Sequence, residues 1–248
     1  MKVSFVIPSF NCATWLPHAV QSVLRQTYKN VEIVIVDDCS TDTTTEYTKW
    51  LKEQKHKNVI IHRNEKNKGR SYSRNKGNKL ATGEIICVLD ADDLADAKRA
   101  ELTVKKLKSC DVCYGSAMFM DALGYKLKDA FAVEFNAKEL IKPLDMAKWE
   151  DDLAKGNSPD LREIGIVHSS LGMYRKFALK YPYAEGKIAE YGIDDWEQQI
   201  RMIKDGLKFG VIHDTICAYR GLGNSVSNTR DMLEVIKMKA EVLSGVRA

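Results

Sequence analysis

The chain has 248 residues, of which 44% are hydrophobic, enough for one α/β domain with a substantial core. Its 38 basic and 34 acidic residues leave a formal net charge of +4, which is too balanced to make nucleic acid an obligatory partner. It has neither a secretory signal at its start nor a run of about 20 apolar residues, so we expect a cytoplasmic protein with no transmembrane segment, although peripheral attachment to a membrane stays open.

Short apolar runs alternate with helical patterns in the first half of the chain. The apolar runs predict strands at 3–7, 31–36, 59–62 and 84–89. Apolar residues at spacings of three and four, together with helix-end residues, predict helices at 15–25, 43–53 and 70–80. This alternation is typical of parallel strands joined by crossover helices, so we predict an α/β fold with a mostly parallel sheet.

The pattern is less regular in the second half. It predicts helices at 95–109, 194–204 and 232–243, strands at 112–114, 209–212 and 215–219, and a turn at 121–124 between short strands. Residues 129–165 carry no clear periodicity. Since no linker or internal repeat interrupts the chain, we expect a single domain over residues 1–248.

The six cysteines are scattered, and the apolar neighbours of Cys87 predict buried thiols and not a disulfide framework. Cys110 and Cys113 have the spacing of a metal or redox pair. Neither a second such pair nor a nearby histidine accompanies them, so the sequence does not favour that chemistry.

Polar clusters follow three of the predicted strands. They occupy residues 8–11, 37–42 and 90–93. Ligands of such sheets bind at the carboxyl ends of the strands, so we expect these clusters to meet at one rim. Three carboxylates within residues 90–93 repel one another, and a divalent cation would relieve that repulsion. The alternative is a solvated acidic turn at the start of the following helix.

Several blocks within residues 2–100 resemble glycosyltransferase family 2 in order and spacing. The blocks are residues 3–11, 22–28, 36–42, 67–70, 74–77, 81–84 and 90–93. The resemblance implies a GT-A type fold, a Rossmann-like mixed and mostly parallel sheet flanked by helices. It also implies a nucleotide-sugar-binding half at 1–110 and an acceptor-binding half, with a C-terminal flap and helix, at 111–248.

The resemblance implies that a set of residues near these strand ends binds the donor nucleotide. They are Pro8, Ser9, Phe10, Asn11, Asp38, Asn67, Gly69, Arg74 and Asp90. Phe10 would offer an aromatic surface, Asp38 would accept a hydrogen bond from the base, and Arg74 would bring positive charge to the donor. Taken singly, Phe10 would equally suit core packing, Arg74 a solvated helix face, and Gly69 an ordinary turn.

The resemblance also implies a metal site with the DXD pattern. Its residues would be Asp90, Asp92 and Asp93, holding Mn²⁺ or Mg²⁺, with Asp92 as the first choice. The ion would neutralise the charge that develops on the leaving nucleoside diphosphate.

Residues 166–176 and 191–197 resemble the acceptor side of the family, where the second acid of an acidic pair is the catalytic base. That role carries over to Asp195, although Asp194 or Asp195 would equally serve as a helix cap. His168 would lie near the acceptor, but a lone histidine is more often packed or hydrogen-bonded than catalytic, so we leave it out of the catalytic set. Leu222 stands where the family commonly has a histidine, which removes one expected metal or diphosphate contact.

The expected activity is inverting transfer of a sugar from a nucleotide sugar, UDP-linked on resemblance, to a hydroxyl of a glycan, lipid-linked glycan or protein, as in polysaccharide biosynthesis. One alternative is a nucleotide-sugar-binding protein that has lost transfer. Another is a sugar-phosphate nucleotidylyltransferase. Residues 8–13 lack the Gly-rich phosphate cradle that this second enzyme, or a dinucleotide-dependent oxidoreductase, would need.

Overall fold

The computed structural model of the chain describes residues 1–155, 166–222 and 232–245. The strands are β1 (Val3–Ser9), β2 (Val31–Asp37), β3 (Val59–Arg63), β4 (Ile85–Val88), β5 (Leu94–Ala95), β6 (Val112–Met120), β7 (Lys126–Ala130), β8 (Gly172–Tyr174) and β9 (Phe209–Arg220). The helices are α1 (Leu16–Leu24), α2 (Thr44–Glu53), α3 (Arg70–Leu80), α4 (Arg99–Lys106), α5 (Ala137–Leu140), α6 (Met146–Ala154), α7 (Arg175–Lys180), α8 (Lys187–Glu190), α9 (Asp194–Lys204) and α10 (Met232–Ser244). A 3₁₀ turn covers His168–Ser170.

The strands of the described residues form one sheet in the order β3-β2-β1-β4-β8-β6-β9-β5, with β7 paired to β6. The pairs among β3, β2, β1 and β4 are parallel, and so is the pair of β6 with β9. Among these strands, only β8, β5 and β7 run antiparallel to their neighbours. The predicted mixed and mostly parallel α/β sheet is therefore confirmed.

Burial explains why the first half of the chain follows its sequence pattern so closely. Every residue of β2 is buried, as expected of a central strand covered on both faces. Helix α1 buries the residues spaced three and four apart, namely Leu16, Ala19, Val20 and Val23. The four predicted strands and three predicted helices of this half are all present, with ends shifted by at most two residues.

The predicted helix at 95–109 is wrong at its start. Leu94 and Ala95 form β5, which pairs antiparallel with Ala218 and Cys217, and α4 begins only at Arg99. A strand more than 120 residues away in sequence decides the conformation of this segment, and helical periodicity carries no information about such pairing.

The predicted strands at 209–212 and 215–219 are one continuous strand, β9. Its register against β6 shifts between Ile212 and Thr215, so that His213 and Asp214 form a bulge. The turn at 121–124 is confirmed as the connection between β6 and β7, and β6 is longer than predicted. All six cysteines are free thiols. No helix in the described ranges is long and apolar enough to cross a membrane.

Helix α3 lies close to the sheet because Gly77 faces it. A Cβ at this position would lie 2.4 Å from Cγ1 of Val6 and 3.4 Å from Cγ2 of Val36. We expect Gly77→Ala to lower the free energy of unfolding by about 1–3 kcal/mol, more than the helix gains from alanine. Urea denaturation measures this loss, and it should shrink in a Val6→Ala background; an equal loss in both backgrounds would contradict the packing argument.

Candidate active site

A cavity of about 920 Å³ lies at the carboxyl ends of β1, β2 and β4, the rim that the sequence predicts. Residues just after these strands form one wall, and the starts of α3 and α9 form another. The lining includes Pro8, Ser9, Phe10, Cys12, Asp38, Asn67, Lys68, Gly69, Arg70, Ser73, Arg74, Asp90, Ala91, Asp92, Phe119, His168, Asp195 and Tyr219. Its volume lies within the range of sites that bind small organic ligands.

One end of the cavity combines an exposed ring with a fixed carboxylate. Phe10 is 45% exposed and lines the cavity, so its ring is not used for core packing. Asp38 is 3% exposed, and its two oxygens accept hydrogen bonds from Asn64 Nδ2 (2.7 Å) and from the backbone N–H of Lys68 (2.9 Å) and Gly69 (2.8 Å). Asp38 therefore holds the loop before α3: Oδ1 accepts two of these hydrogen bonds and Oδ2 accepts one, so only one lone pair, on Oδ2, is left for a ligand.

That loop needs a glycine. Gly69 has φ +84° and ψ 163°, a conformation that residues with a Cβ rarely adopt. Its N–H also donates to Asn67 Oδ1 at 3.1 Å, so Asn67 helps to fix the turn. Gly69 is therefore a turn glycine, as the alternative interpretation holds. It also lines the cavity, so this turn is part of the cavity wall.

Arg74 joins the two walls of the cavity. Its guanidinium donates to Asp90 (Nη2 to Oδ1, 2.7 Å) and to Asp194 (Nη1 to Oδ2, 3.0 Å), and its side chain is only 6% exposed. Burial alone would lower the pKa of Arg74, but these two carboxylates raise it. Burial likewise acts to raise the pKa of Asp90, and Arg74 outweighs it and holds that pKa below its usual value. Arg74 is thus a buried ion-pair bridge and not a solvated side chain.

Asp194, the first residue of α9, attaches this helix to α3 by ion pairs and hydrogen bonds. Besides Arg74, it accepts hydrogen bonds from Arg70 Nη2 at 2.6 Å and from Ser71 Oγ at 2.8 Å, and it is fully buried. These bonds tie the start of α9 to the start of α3, 124 residues earlier in the chain. All the described hydrogen bonds of the Asp194 side chain come from α3, and none comes from its own helix.

The neighbouring Asp195 is available to a ligand. Its side chain is 31% exposed and lines the cavity, and its Oδ1 accepts the backbone N–H of Trp196 at 2.8 Å. A carboxylate at a helix N-terminus is favoured by the helix dipole and the free N–H groups. Asp195 thus combines a partly exposed carboxylate on the cavity wall with a backbone that is part of α9.

The acidic cluster divides into two parts. Asp90 and Asp92 line the cavity, whereas Asp93 is 1% exposed and does not. Asp93 Oδ1 accepts the backbone N–H of Arg220 at 2.8 Å, and Arg220 Nε donates to the carbonyl of Asp92 at 2.9 Å. The end of β9 therefore fixes the loop after β4.

Repulsion within this cluster is strong. Burial, followed by the charge of Asp90, raises the pKa of Asp92 to about 6. Burial and the charges of Asp92 and Asp90 raise the pKa of Asp93 well above its usual value. Asp93 Oδ2 is buried and has no hydrogen-bond partner among the described residues. A bound cation would offset the repulsion, and carboxylate oxygens are the ligands that Mg²⁺ and Mn²⁺ prefer, so the cluster fits such an ion.

The protein does not supply a complete metal cage. Within the described ranges, no three His, Cys, Asp or Glu side chains are grouped so that they would hold an ion by themselves. This agrees with Mg²⁺ chemistry, in which one or two carboxylates and the substrate phosphates commonly share the ion.

A buried histidine lies beside Asp195. The Nδ1 atom of His168 is 3.8 Å from Asp195 Oδ2, and its Nε2 is 3.1 Å from the hydroxyl of Tyr183. Burial and then Arg74 lower the pKa of His168 to about 3, so the ring is neutral near pH 7 and forms no ion pair with Asp195.

Most of the residues singled out from the sequence line this cavity, but two do not. Asn11 is outside the lining, and its Oδ1 accepts the backbone N–H of Thr41 at 2.8 Å. Asp93 is the other, held by Arg220. Sequence reasoning missed the anchoring pair of Arg70 with Asp194, and also Phe119 and Tyr219, whose rings pack 5.1 Å apart on the cavity wall. No local pattern marks these, because their role depends on long-range contacts.

The predicted C-terminal flap lies mainly in residues 223–231, outside the described residues. Leu222, where the resemblance leads us to expect a histidine, lies two residues after the end of β9 and is partly buried.

Comparisons with known proteins give one family and one fold. The profile of Glycosyl transferase family 2 matches residues 4–181. An uncharacterized glycosyltransferase of Methanocaldococcus jannaschii is 30% identical over 222 residues, which cover 88% of this chain and 70% of that protein.

Two solved structures are similar in fold. TarS of S. aureus in complex with UDP-GlcNAc matches with a TM-score of 0.68 at 16% identity, over 99% of this chain and 71% of that one. The mannosyltransferase PcManGT of Pyrobaculum calidifontis, in complex with GDP-Man and Mn²⁺, matches with a TM-score of 0.60 at 19% identity, over 88% of this chain and 56% of that one.

Proposed function

Because the chain belongs to glycosyltransferase family 2, is a glycosyltransferase and has the GT-A fold, we propose that it transfers one sugar from a UDP-linked donor to a hydroxyl acceptor with inversion. One observation carries this proposal. The strand-end carboxylates Asp90 and Asp92 and the helix-start carboxylate Asp195 line the same cavity from different walls. Such a site has separate groups for the leaving diphosphate and for the attacking hydroxyl.

In this mechanism Asp195 is the general base. Its exposed oxygen accepts the proton of the acceptor hydroxyl, whose oxygen attacks the anomeric carbon from the face opposite the diphosphate. The carbon–oxygen bond to the diphosphate breaks as the new glycosidic bond forms, and the electron pair leaves with the phosphate. Arg70 and Arg74 act by holding Asp194 beside the base, which keeps the base in position for attack.

The donor side is formed by the first half of the chain, about residues 1–110, and the acceptor side by residues 111–248. Phe10 stacks its exposed ring on the nucleobase of the donor. The loop at 67–69, which Asp38 holds by hydrogen bonds, contacts the nucleotide from the other side. TarS was solved with UDP-GlcNAc, which supports a UDP-linked donor here. The acceptor is a hydroxyl of a glycan, a lipid-linked glycan or a protein.

Asp92 and Asp90 would hold a divalent cation together with the donor diphosphate. When bound, the cation supplies charge neutralisation to the leaving diphosphate. The electrostatic strain at Asp92 and the Mn²⁺ in the PcManGT complex support this assignment.

We expect Asp92→Asn to weaken Mn²⁺-dependent binding of UDP by at least about tenfold, because a negatively charged ligand of the ion is lost. Isothermal titration of UDP with and without Mn²⁺ measures the effect. Asp96→Asn is the matched control, since Asp96 is exposed and lies four residues away, outside the cavity lining. Equal Mn²⁺ dependence of UDP binding in Asp92→Asn and in the unaltered protein would remove Asp92 from the metal site.

The test of the function itself is a search for turnover. The protein is incubated with Mn²⁺, UDP-sugars and a set of alkyl glycosides, and both UDP release and the glycoside product are followed. Product with inverted anomeric configuration supports the proposal. Tight donor binding without any turnover would favour a nucleotide-sugar-binding protein instead, and formation of nucleotide sugar from a sugar phosphate would favour a nucleotidylyltransferase.

A further inference from the structure

His168 is a buried polar side chain with one unused hydrogen-bonding atom on the cavity wall. The residue is 8% exposed, and its Nδ1 has no hydrogen-bond partner within the described ranges. Buried polar atoms are nearly always paired, and His168 lines the cavity, so its unpaired Nδ1 points to a partner supplied by a bound ligand. The mechanism described above makes no use of it.

The surroundings of the ring indicate where its proton lies. Tyr183 is buried, and among the described residues its hydroxyl contacts His168 Nε2 at 3.1 Å; we assign the hydroxyl as the donor, since this arrangement leaves no hydroxyl hydrogen unpaired. A neutral imidazole then carries its proton on Nδ1. The negative charge of Asp195, whose Oδ2 is 3.8 Å from Nδ1, favours the same tautomer.

The distance between His168 Nδ1 and Asp195 Oδ2 allows both atoms to bind the same ligand oxygen. At 3.8 Å the two atoms are too far apart for a direct hydrogen bond, and they are close enough together to contact the same ligand atom beside them. One oxygen atom can lie at hydrogen-bond distance, about 2.8 Å, from both. It would accept the Nδ1–H bond of His168 and donate its own hydrogen to Asp195.

We propose that His168 and Asp195 together bind the reacting hydroxyl of the acceptor, with His168 as the donor that orients its oxygen. This rests on the proposed function. The hydroxyl oxygen then has four partners: its own carbon, Asp195 through its hydrogen, the Nδ1–H of His168 on one lone pair, and the anomeric carbon on the other lone pair.

The protonation state of His168 does not change during the transfer step. The hydroxyl proton goes to Asp195, the oxygen forms the bond to the anomeric carbon, and the diphosphate leaves with its electron pair. His168 keeps its Nδ1 proton and stays neutral throughout. The low pKa of the ring is consistent with a hydrogen-bond donor that takes no proton from the substrate.

Two amide substitutions separate the role of Nδ1 from that of ring packing. In His168→Asn the side-chain amide reaches the position of Nδ1, and in His168→Gln it reaches the position of Nε2. We expect His168→Gln to lower kcat/KM for the acceptor by about 10- to 100-fold, as for loss of a hydrogen bond to a reacting group. His168→Asn should retain most of that kcat/KM.

The measurements use UDP-GlcNAc as donor and alkyl glycosides as acceptors. The KM for UDP-GlcNAc and the thermal unfolding midpoint of both variants should stay close to those of the unaltered protein. Equal losses of acceptor kcat/KM in the Gln and Asn variants would show that His168 acts by packing alone and would overturn the proposal. An unchanged acceptor kcat/KM in His168→Gln would overturn it as well.

A second measurement does not depend on transfer. The ¹⁵N shifts of His168, assigned by comparison with His168→Gln, report its tautomer, and we expect Nδ1–H. A proton on Nε2 would contradict the proposal even if transfer is found. An Nδ1–H tautomer in a protein that transfers sugar to no acceptor would contradict the proposed function, and with it the acceptor role of His168.

Discussion

Asp195→Asn is expected to lower kcat for sugar transfer by about 10²- to 10⁴-fold, the usual contribution of a general base. An amide keeps the shape of the side chain and still accepts the N–H of Trp196, but it cannot take the acceptor proton. The KM for the donor should change little, because in the proposed mechanism Asp195 contacts the acceptor and not the donor. Initial rates of UDP release and of product formation at saturating donor measure the loss.

The matched control is Asp205→Asn, in the same helical segment but at its far end. Asp205 is half exposed and pairs with Lys180 on the surface, so this variant should retain the activity of the unaltered protein. If Asp195→Asn keeps more than about a tenth of the original kcat, Asp195 is not the base and the proposed mechanism fails.

Arg74→Met is expected to lower the free energy of unfolding by about 3 kcal/mol, the cost of breaking a buried ion pair. Methionine fills much of the volume but leaves Asp90 without its guanidinium partner. Breaking a buried ion pair usually costs about 3–5 kcal/mol. We expect the lower end of this range because Asp90 is 27% exposed and Asp194 still accepts hydrogen bonds from Arg70 and Ser71. Urea denaturation followed by circular dichroism gives the value.

Arg70→Met provides the comparison, since it is the same substitution on the same helix and against the same Asp194. Arg70 is 33% exposed, so we expect the smaller loss of about 0.5–1.5 kcal/mol. In the double variant Arg74→Met with Asp90→Asn, part of the stability should return, because the unpaired charge is gone. If Arg74→Met costs the same stability with and without the Asp90→Asn substitution, packing, and not the charge bridge, accounts for the role of Arg74.

Local pattern was enough to predict the elements of the first half, but only some of those of the second, where α9 (Asp194–Lys204) and α10 (Met232–Ser244) lie where they were predicted. Residues 31–36 are continuously buried because β2 is covered on both faces, and α1 shows its buried stripe directly. The predicted helix start at residue 95 was wrong because pairing with β9, far along the chain, determines the conformation of residues 94–95. Residues 129–190 contain short elements such as α5 and α8, of four residues each, which are too short for a period to appear.

The candidate site divides in the same way. Clusters that directly follow strands, such as residues 8–10 and 90–92, were predicted because the end of a strand is visible in the sequence. The Arg70–Asp194 pair, and the attachment of Asp93 to Arg220, join residues more than 120 positions apart. Their contacts had to be seen in the folded chain, and so did the 3.8 Å distance between His168 and Asp195, although the family resemblance already implied that His168 lies near the acceptor.

The anchoring of α9 to α3 has a consequence for biosynthesis. Arg70 is synthesised 124 residues before Asp194, so a nascent chain that stops short of this acid contains both arginines without their shared carboxylate. Contacts of such long sequence separation form late and slow down folding. We therefore expect early strands to pair on the ribosome, whereas ligand affinity arises only after the acidic start of α9 has emerged from the exit tunnel.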